Sequence, residues 1–189
     1  MIALADRSRI IALLNYYADK YRVPRTYVHA IARIESGHQQ LRDGRTITSS
    51  AGALGVMQLM PGTARGLGVN PHDVEENIEG GVRYFRQRLD LSGGDPSMAV
   101  AMYYAGVGNV RNRNAMRWEG VQRYIRNFNA LINNSEIMAM AGGRASAREV
   151  VENRPNQPDI TNIGNNQEQV FLIIVGLIIG IIIIVNFFS

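Results

Sequence analysis

From Val170 to Val185 the chain carries no charged or hydrogen-bonding side chain, and Phe187 and Phe188 lengthen the run. As a helix, the 19 residues Val170–Phe188 span about 28 Å, close to the thickness of a bilayer's hydrocarbon core. A soluble helix keeps one polar side for water, and this segment has none. The expectation is a single transmembrane helix over 170–188. Gly176 and Gly180 form a GxxxG step, a spacing used by helix dimers but frequent by chance in such segments. Whatever folds in water must therefore be built from the residues before this run.

Those residues divide in texture. Residues 133–169 are rich in Asn, Gln, Gly and small residues, with Pro155 and Pro158 spaced as in an extended segment, so they are expected to be a flexible linker. Residues 1–132 carry helical periodicity instead. Ile10, Leu13, Leu14, Tyr17 and Tyr21 trace one helical face, with Asp6 as its expected N-cap. Charges precede only a short apolar patch there, and no small-residue cleavage site follows, so this stretch is expected to be a core helix rather than a secretory signal. Ile78, Val82, Phe85 and Leu89 mark a second amphipathic helix. Its Gly80–Gly81 pair costs about 1 kcal/mol per glycine relative to alanine, a cost that tight packing of two helix backbones would explain. Pro61 is expected to open a short helix through Leu67, and Pro96 another that Gly106 and Gly108 close. A last helix carries Trp118, Ile125, Phe128 and Leu131, while residues 38–50 read as a loop. No set of strands with period two competes with this pattern. The expected class is mainly α.

The segment Pro24–Gly37, PRTYVHAIARIESG, is the most informative of these helices. Pro24 suits a helix start and Gly37 the turn past a helix end. Between them Val28, Ile31, Ala32 and Glu35 fall on one face. Three of the four belong in a core, and the fourth is a carboxyl at the negative end of the helix dipole. Both surroundings penalise the charged form and raise the pKa toward neutrality. A glutamate that keeps its proton near pH 6 to 7 serves as a general acid. A solvated Glu paired with Arg33 or Arg25 is the plainer alternative.

Composition narrows the partners. The chain has 189 residues, no cysteine, and a net charge of +4 that comes almost wholly from arginine. No thiolate site or disulfide is available, and a basic balance favours anionic partners such as cell-wall polymer, lipid head groups or nucleic acid. His29, His38 and His72 lack metal-ligand spacing and read as packing or surface residues. No metal or organic cofactor is implied. The glycines between Gly52 and Gly68 match neither GxGxxG nor a Walker spacing, which argues against nucleotide binding. Arginines between Arg111 and Arg126 are more simply a solvated face than a nucleic-acid patch.

Three blocks in order, Glu35-Ser36-Gly37, GVMQLMPGTA at 55–64 and AVAMYYAGVGNV at 99–110, resemble the SLT-type lytic transglycosylases, relatives of goose-type lysozyme. The likeness covers roughly residues 8–132. It implies a lysozyme-like helical domain acting on peptidoglycan glycan strands. It also implies Glu35 as the single acid/base, with Ser36, Met57 and Gln58 contacting glycan and Tyr103 hydrogen-bonding the carboxyl. Where the family reads Tyr-Asn-Ala-Gly, this chain has Tyr103-Tyr104-Ala105-Gly106, so Tyr104 alters a sugar or peptide contact. A late Glu-Thr-x-x-Tyr region is matched only loosely, near Glu119 and Tyr124.

The reaction implied is cleavage of the MurNAc-β-1,4-GlcNAc bond with formation of a 1,6-anhydroMurNAc end. A muramidase hydrolysing the same bond, with Asp43 as a second acid, is the nearest alternative. An inactive membrane-anchored structural protein is another. Because the wall lies outside the cytoplasmic membrane, an anchor without an export signal suits an enzyme delivered from outside. The resemblance extends to SLT proteins of tailless phages with an internal membrane. The expected location is thus a virion membrane, beside other virion membrane proteins, with a bacterial inner membrane as the rival. Charge flanking 170–188 is too sparse to set orientation.

Overall fold

The protein's structure, a computed structural model, describes residues 4–142. The expected transmembrane segment at 170–188 and most of the expected linker lie outside the described residues. No helix among the described residues is long and apolar enough to cross a membrane.

Among the described residues, eight helices and one small hairpin follow in order: α1 (Leu4–Lys20), α2 (Arg25–Glu35), β1 (Leu41–Arg42), β2 (Arg45–Thr46), α3 (Pro61–Leu67), α4 (Val74–Leu91), α5 (Pro96–Ala105), α6 (Val107–Asn112), α7 (Glu119–Ile132) and α8 (Ser135–Gly142). A 3₁₀ turn at Ala115–Arg117 leads into α7. The mainly α expectation holds for the described domain.

Helix starts follow local chemistry. Asp73 accepts from the N–H groups of Glu75 and Glu76 and starts α4, while Asp95 accepts from Ser97 and Met98 and starts α5. Both satisfy donors that the helix itself leaves unpaired. Pro61 and Pro96 occupy first-turn positions of α3 and α5, where a missing N–H costs nothing. Asp6 lies inside the first turn of α1 rather than capping it. Pro24 is the N-cap of α2, one place earlier than expected.

The core forms where α5 is enclosed. Ala99, Val100, Ala101 and Met102 are all buried, so this helix has no amphipathic side, and α4 and α7 pack against it. Phe85 of α4, Phe128 of α7 and Tyr27 of α2 meet as a cluster of edge-on and tilted rings, a geometry that favours aromatic contacts. α2 lies between α1 and α7, with Val28, Ala30, Ile31 and Ala32 buried. That placement buries the middle of α2 and leaves its two ends to meet solvent.

Four departures from the sequence reading have physical reasons. Residues 38–50 are not all loop: Leu41 pairs with Thr46 and Arg42 with Arg45, and the turn between them uses Asp43 and Gly44 at positive φ, the pairing that two-residue hairpins demand. Trp118 precedes α7 as its N-cap and stands 44% exposed instead of joining its apolar face. The Gly80–Gly81 pair makes room for side chains rather than for another helix backbone. A Cβ at Gly81 would lie 2.4 Å from the Cβ of Met57, and one at Gly80 2.8 Å from Val69.

Lastly, the domain does not stop at 132. α8 packs on α2 and α7 with Ile137 buried, and Arg7 and Arg33 both face Glu136. Asn15 donates to the Met140 carbonyl and Arg25 to that of Ala141. A segment whose other apolar residues stay largely exposed is thus held through one buried anchor and its own backbone carbonyls.

Candidate active site

Glu35 is the last residue of α2. The helix stops there because Gly37 and His38 both adopt positive φ, at 66° and 62°. The N–H groups of Ser36, Gly37 and His38 turn back onto the Ala32 and Arg33 carbonyls. The Glu35 side chain projects from this end toward α7, where the Tyr124 hydroxyl donates to Oε1 at 2.6 Å. Burial drives the Glu35 pKa from 4.5 up to about 7, and the Tyr124 hydrogen bond opposes the rise without cancelling it. Desolvation wins because one phenolic donor replaces a carboxylate's several water contacts. The phenols of Tyr124 and Tyr103 are themselves held well above their usual range by burial and by the Glu35 charge. They remain protonated donors.

The floor beside Glu35 is the loop Leu54–Leu59, and it is pinned from three sides. Ser36 Oγ donates to the Val56 carbonyl at 2.9 Å and accepts from the Gln39 N–H, tying the loop to the end of α2. Buried Gln40 accepts from the Val56 N–H, and buried Asn77 accepts from the Met57 N–H while donating to the Leu54 carbonyl. Tyr103 donates to the Met57 carbonyl at 2.6 Å. Gly55 has no alternative residue: at φ +74° its Cβ would fall 2.5 Å from both the Gln40 and Asn77 side-chain amides. Gln58 also holds a left-handed backbone, φ +47°, and its amide donates to the carbonyls of Gly55 and Ile47.

This geometry revises several expected roles. Tyr103 was expected to hold the carboxyl; it holds the Met57 carbonyl, and Tyr124 holds Glu35. The two tyrosines sit on neighbouring helices, and only α7 carries its hydroxyl to the end of α2. Met57 is fully buried against Gly81, so its side chain supports the floor instead of facing glycan. The Ser36 hydroxyl points inward and is engaged by backbone. Tyr104 is 50% exposed, and its ring lies over that of Tyr124 at 5.0 Å. Asp43, the candidate second acid, occupies the exposed hairpin turn.

Gln40 and Asn77 are the positioning residues that sequence reading missed. In the sequence both look like ordinary surface amides. His29 and His38, expected to pack, form a buried pair whose rings hydrogen-bond at 3.2 Å. His29 also bonds Asn15 at 2.9 Å.

A carboxyl that titrates near neutrality, one phenol bonded to it and a rigid polar floor together suit proton transfer to a bound substrate. Comparison with known proteins agrees in kind. Residues 12–126, more than half of the chain, match the Transglycosylase SLT domain family. The chain belongs to this family.

Its SLT domain is 42% identical over 100 residues to a transglycosylase of Enterobacteria phage PRD1, covering 52% of this chain and 37% of that protein. It is 31% identical over 105 residues to the membrane-bound lytic murein transglycosylase F of Cellvibrio japonicus, covering 47% and 21%. Among solved structures, the 70 kDa soluble lytic transglycosylase of Escherichia coli superposes with a TM-score of 0.58 at 26% identity, covering 72% of this chain and 26% of that one. A 70 kDa soluble lytic transglycosylase in complex with bulgecin A superposes equally well, with a TM-score of 0.58 at 26% identity. This SLT chain therefore spans less than half the length of these relatives, and what it shares with them is the helical, lysozyme-like domain.

Proposed function

We propose that the protein is a peptidoglycan lytic transglycosylase in which Glu35 is the catalytic residue, acting first as acid and then as base. Protonated Glu35 gives its proton to the GlcNAc O4 as the MurNAc C1–O4 bond breaks. The resulting carboxylate takes the proton of the MurNAc C6 hydroxyl, whose oxygen bonds to C1. The product ends in 1,6-anhydroMurNAc, no water is consumed, and Glu35 regains its proton. One carboxyl is enough because the substrate supplies the nucleophile, unlike glycosidases that need two.

The observation that carries this reading is Glu35 itself, half-buried at the end of α2, bonded by the Tyr124 phenol and with its pKa pushed up to about 7. Family membership and the named activities of the relatives support the same reaction. Tyr124 orients the carboxyl, and Tyr103, Ser36 and Met57 fix the floor through its backbone. Gln58 and Tyr104 are the expected glycan contacts that reach solvent.

The proposal extends to the whole chain. Residues 170–188 anchor it in a lipid membrane, and the segment after α8 tethers the domain within reach of the wall. Similarity to a phage transglycosylase supports a virion membrane location and a role in opening the host wall for genome delivery.

The test is mass spectrometry of muropeptides released from purified sacculi by the full chain in detergent, beside Glu35→Gln. The expected products are 1,6-anhydroMurNAc ends, reduced by roughly 10³-fold or more in the folded variant. Reducing MurNAc ends would make the enzyme a muramidase. Absence of products from folded wild-type protein would leave a membrane-anchored structural role.

A further inference from the structure

Tyr104 occupies the place where the family pattern has an amide, and its surroundings are specific. Its ring centroid lies 5.0 Å from that of Tyr124, with 36° between the planes. Tyr124 is 5% exposed while Tyr104 is 50% exposed, so the outer ring covers the inner one. Among the described residues the Tyr104 hydroxyl has no hydrogen-bond partner. Its ring, not its oxygen, therefore makes the contact.

The ring lies close against residue 120, which has no side chain. A Cβ on Gly120, in the first turn of α7, would lie 3.0 Å from the Tyr104 hydroxyl oxygen and 3.6 Å from Cε1. The phenol is thus laid across the start of the helix that carries Tyr124. An asparagine at 104 lacks the ring needed to reach across this gap.

We infer that Tyr104 is a positioning residue acting through Tyr124: its ring roofs the Tyr124–Glu35 hydrogen bond against water, and Gly120 provides the space in which the ring lies. This inference rests on the role of Glu35 proposed above. Two effects of removing the roof oppose each other. Freeing Tyr124 weakens a hydrogen bond that favours the carboxylate, whereas admitting water favours the carboxylate more strongly, because burial is the larger influence on Glu35. Water should win. The Glu35 carboxyl becomes a stronger acid and is a poorer proton donor at neutral pH.

The experiment compares Tyr104→Asn, Tyr104→Phe and Gly120→Ala in the full chain. It reads the carbon-13 titration of the Glu35 carboxyl without substrate and the pH dependence of glycan cleavage. Tyr104→Asn should lower the Glu35 titration and the alkaline limb of activity by about one pH unit. Roughly a fivefold fall in kcat at pH 7 should accompany it, with KM little changed. Tyr104→Phe, which keeps the ring, should retain the wild-type limb, and Gly120→Ala should fall between the two.

A Tyr104→Asn variant with wild-type titration and a raised KM alone would overturn the inference and leave Tyr104 as a glycan contact only. Should Tyr104→Asn not fold, Gly120→Ala with an unmoved limb would count against it equally. Because the titration needs no substrate, it reads the Tyr104 coupling even if the wild-type chain releases no product, an outcome that would sink the proposed reaction instead.

Discussion

At its last residue α2 holds a carboxyl with one phenolic partner, whereas two turns earlier it holds a histidine inside a continuous hydrogen-bonded chain. The Met140 carbonyl accepts from Asn15, Asn15 Oδ1 faces His29 Nε2, and His29 Nδ1 faces His38 Nε2. With the amide oxygen as acceptor, both rings are fixed as Nε2–H tautomers, and His38 Nδ1 is left as a lone pair without a partner among the described residues. Burial favours the neutral form in both regions, by pKa shifts of opposite sign. Burial pushes the His29 and His38 pKa values down to about 3 and about 4, so the pair is neutral at any physiological pH. Burial pushes Glu35 up to about 7, so its proton is free to leave in the working range. The histidine chain joins α1, α2 and α8 and has no proton to exchange. The carboxyl end of the same helix is left short of hydrogen bonds, and that shortage is what a general acid requires.

The comparison breaks if the two regions do not oppose each other in stability. The histidines' folded pKa values lie below the unfolded value near 6.5. Their contribution is therefore fully present above about pH 6.5 and is lost as pH falls toward 4. Down to pH 5 the loss is about 4 kcal/mol for the pair. Arg7 and Arg33 near His38 and Arg25 near His29 reinforce it, since each disfavours a second positive charge. Urea unfolding followed by Trp118 fluorescence should show this acid loss, and His38→Gln should remove about half of it. An unchanged slope in that variant would mean that the histidines are not the acid-sensitive element.

Glu35 contributes in the other direction and by less. Its folded pKa is raised, so the protonated form is favoured in the fold. That contribution is present below about pH 4.5 and is lost as pH rises through 7. Replacing it by glutamine should stabilise the domain by about 2–3 kcal/mol at pH 8 and by less than about 1 kcal/mol at pH 5. Equal stability of Glu35→Gln and wild type at pH 8 would mean that the carboxyl is solvated.

Much of this was legible in the chain because it is local. Helix α2, its stop at Gly37, the proline starts of α3 and α5, and Glu35 on an apolar face all follow from spacing within a few residues. What was not legible depends on distant pairings. Tyr124 and Glu35 are 89 positions apart, and nothing local tells which tyrosine's hydroxyl reaches the carboxyl, so Tyr103 was assigned the part. Gln40 and Asn77 read as surface amides, yet each is buried because the loop backbone at 54–57 needs donors and acceptors. α8 resembled a linker since only Ile137 anchors it. Gly81 suggested a helix contact, but the partner is the Met57 side chain, which no periodicity announces.

The central claim is that Glu35 keeps its proton to near neutral pH. It is tested most directly by following the carbon-13 resonance of its carboxyl against pH in the full-length protein, with Glu35→Gln identifying the signal. A midpoint near 7 is the predicted result. A midpoint near the ordinary 4.5 would contradict the account, because a carboxylate already ionised at neutral pH has no proton to donate to the glycosidic oxygen.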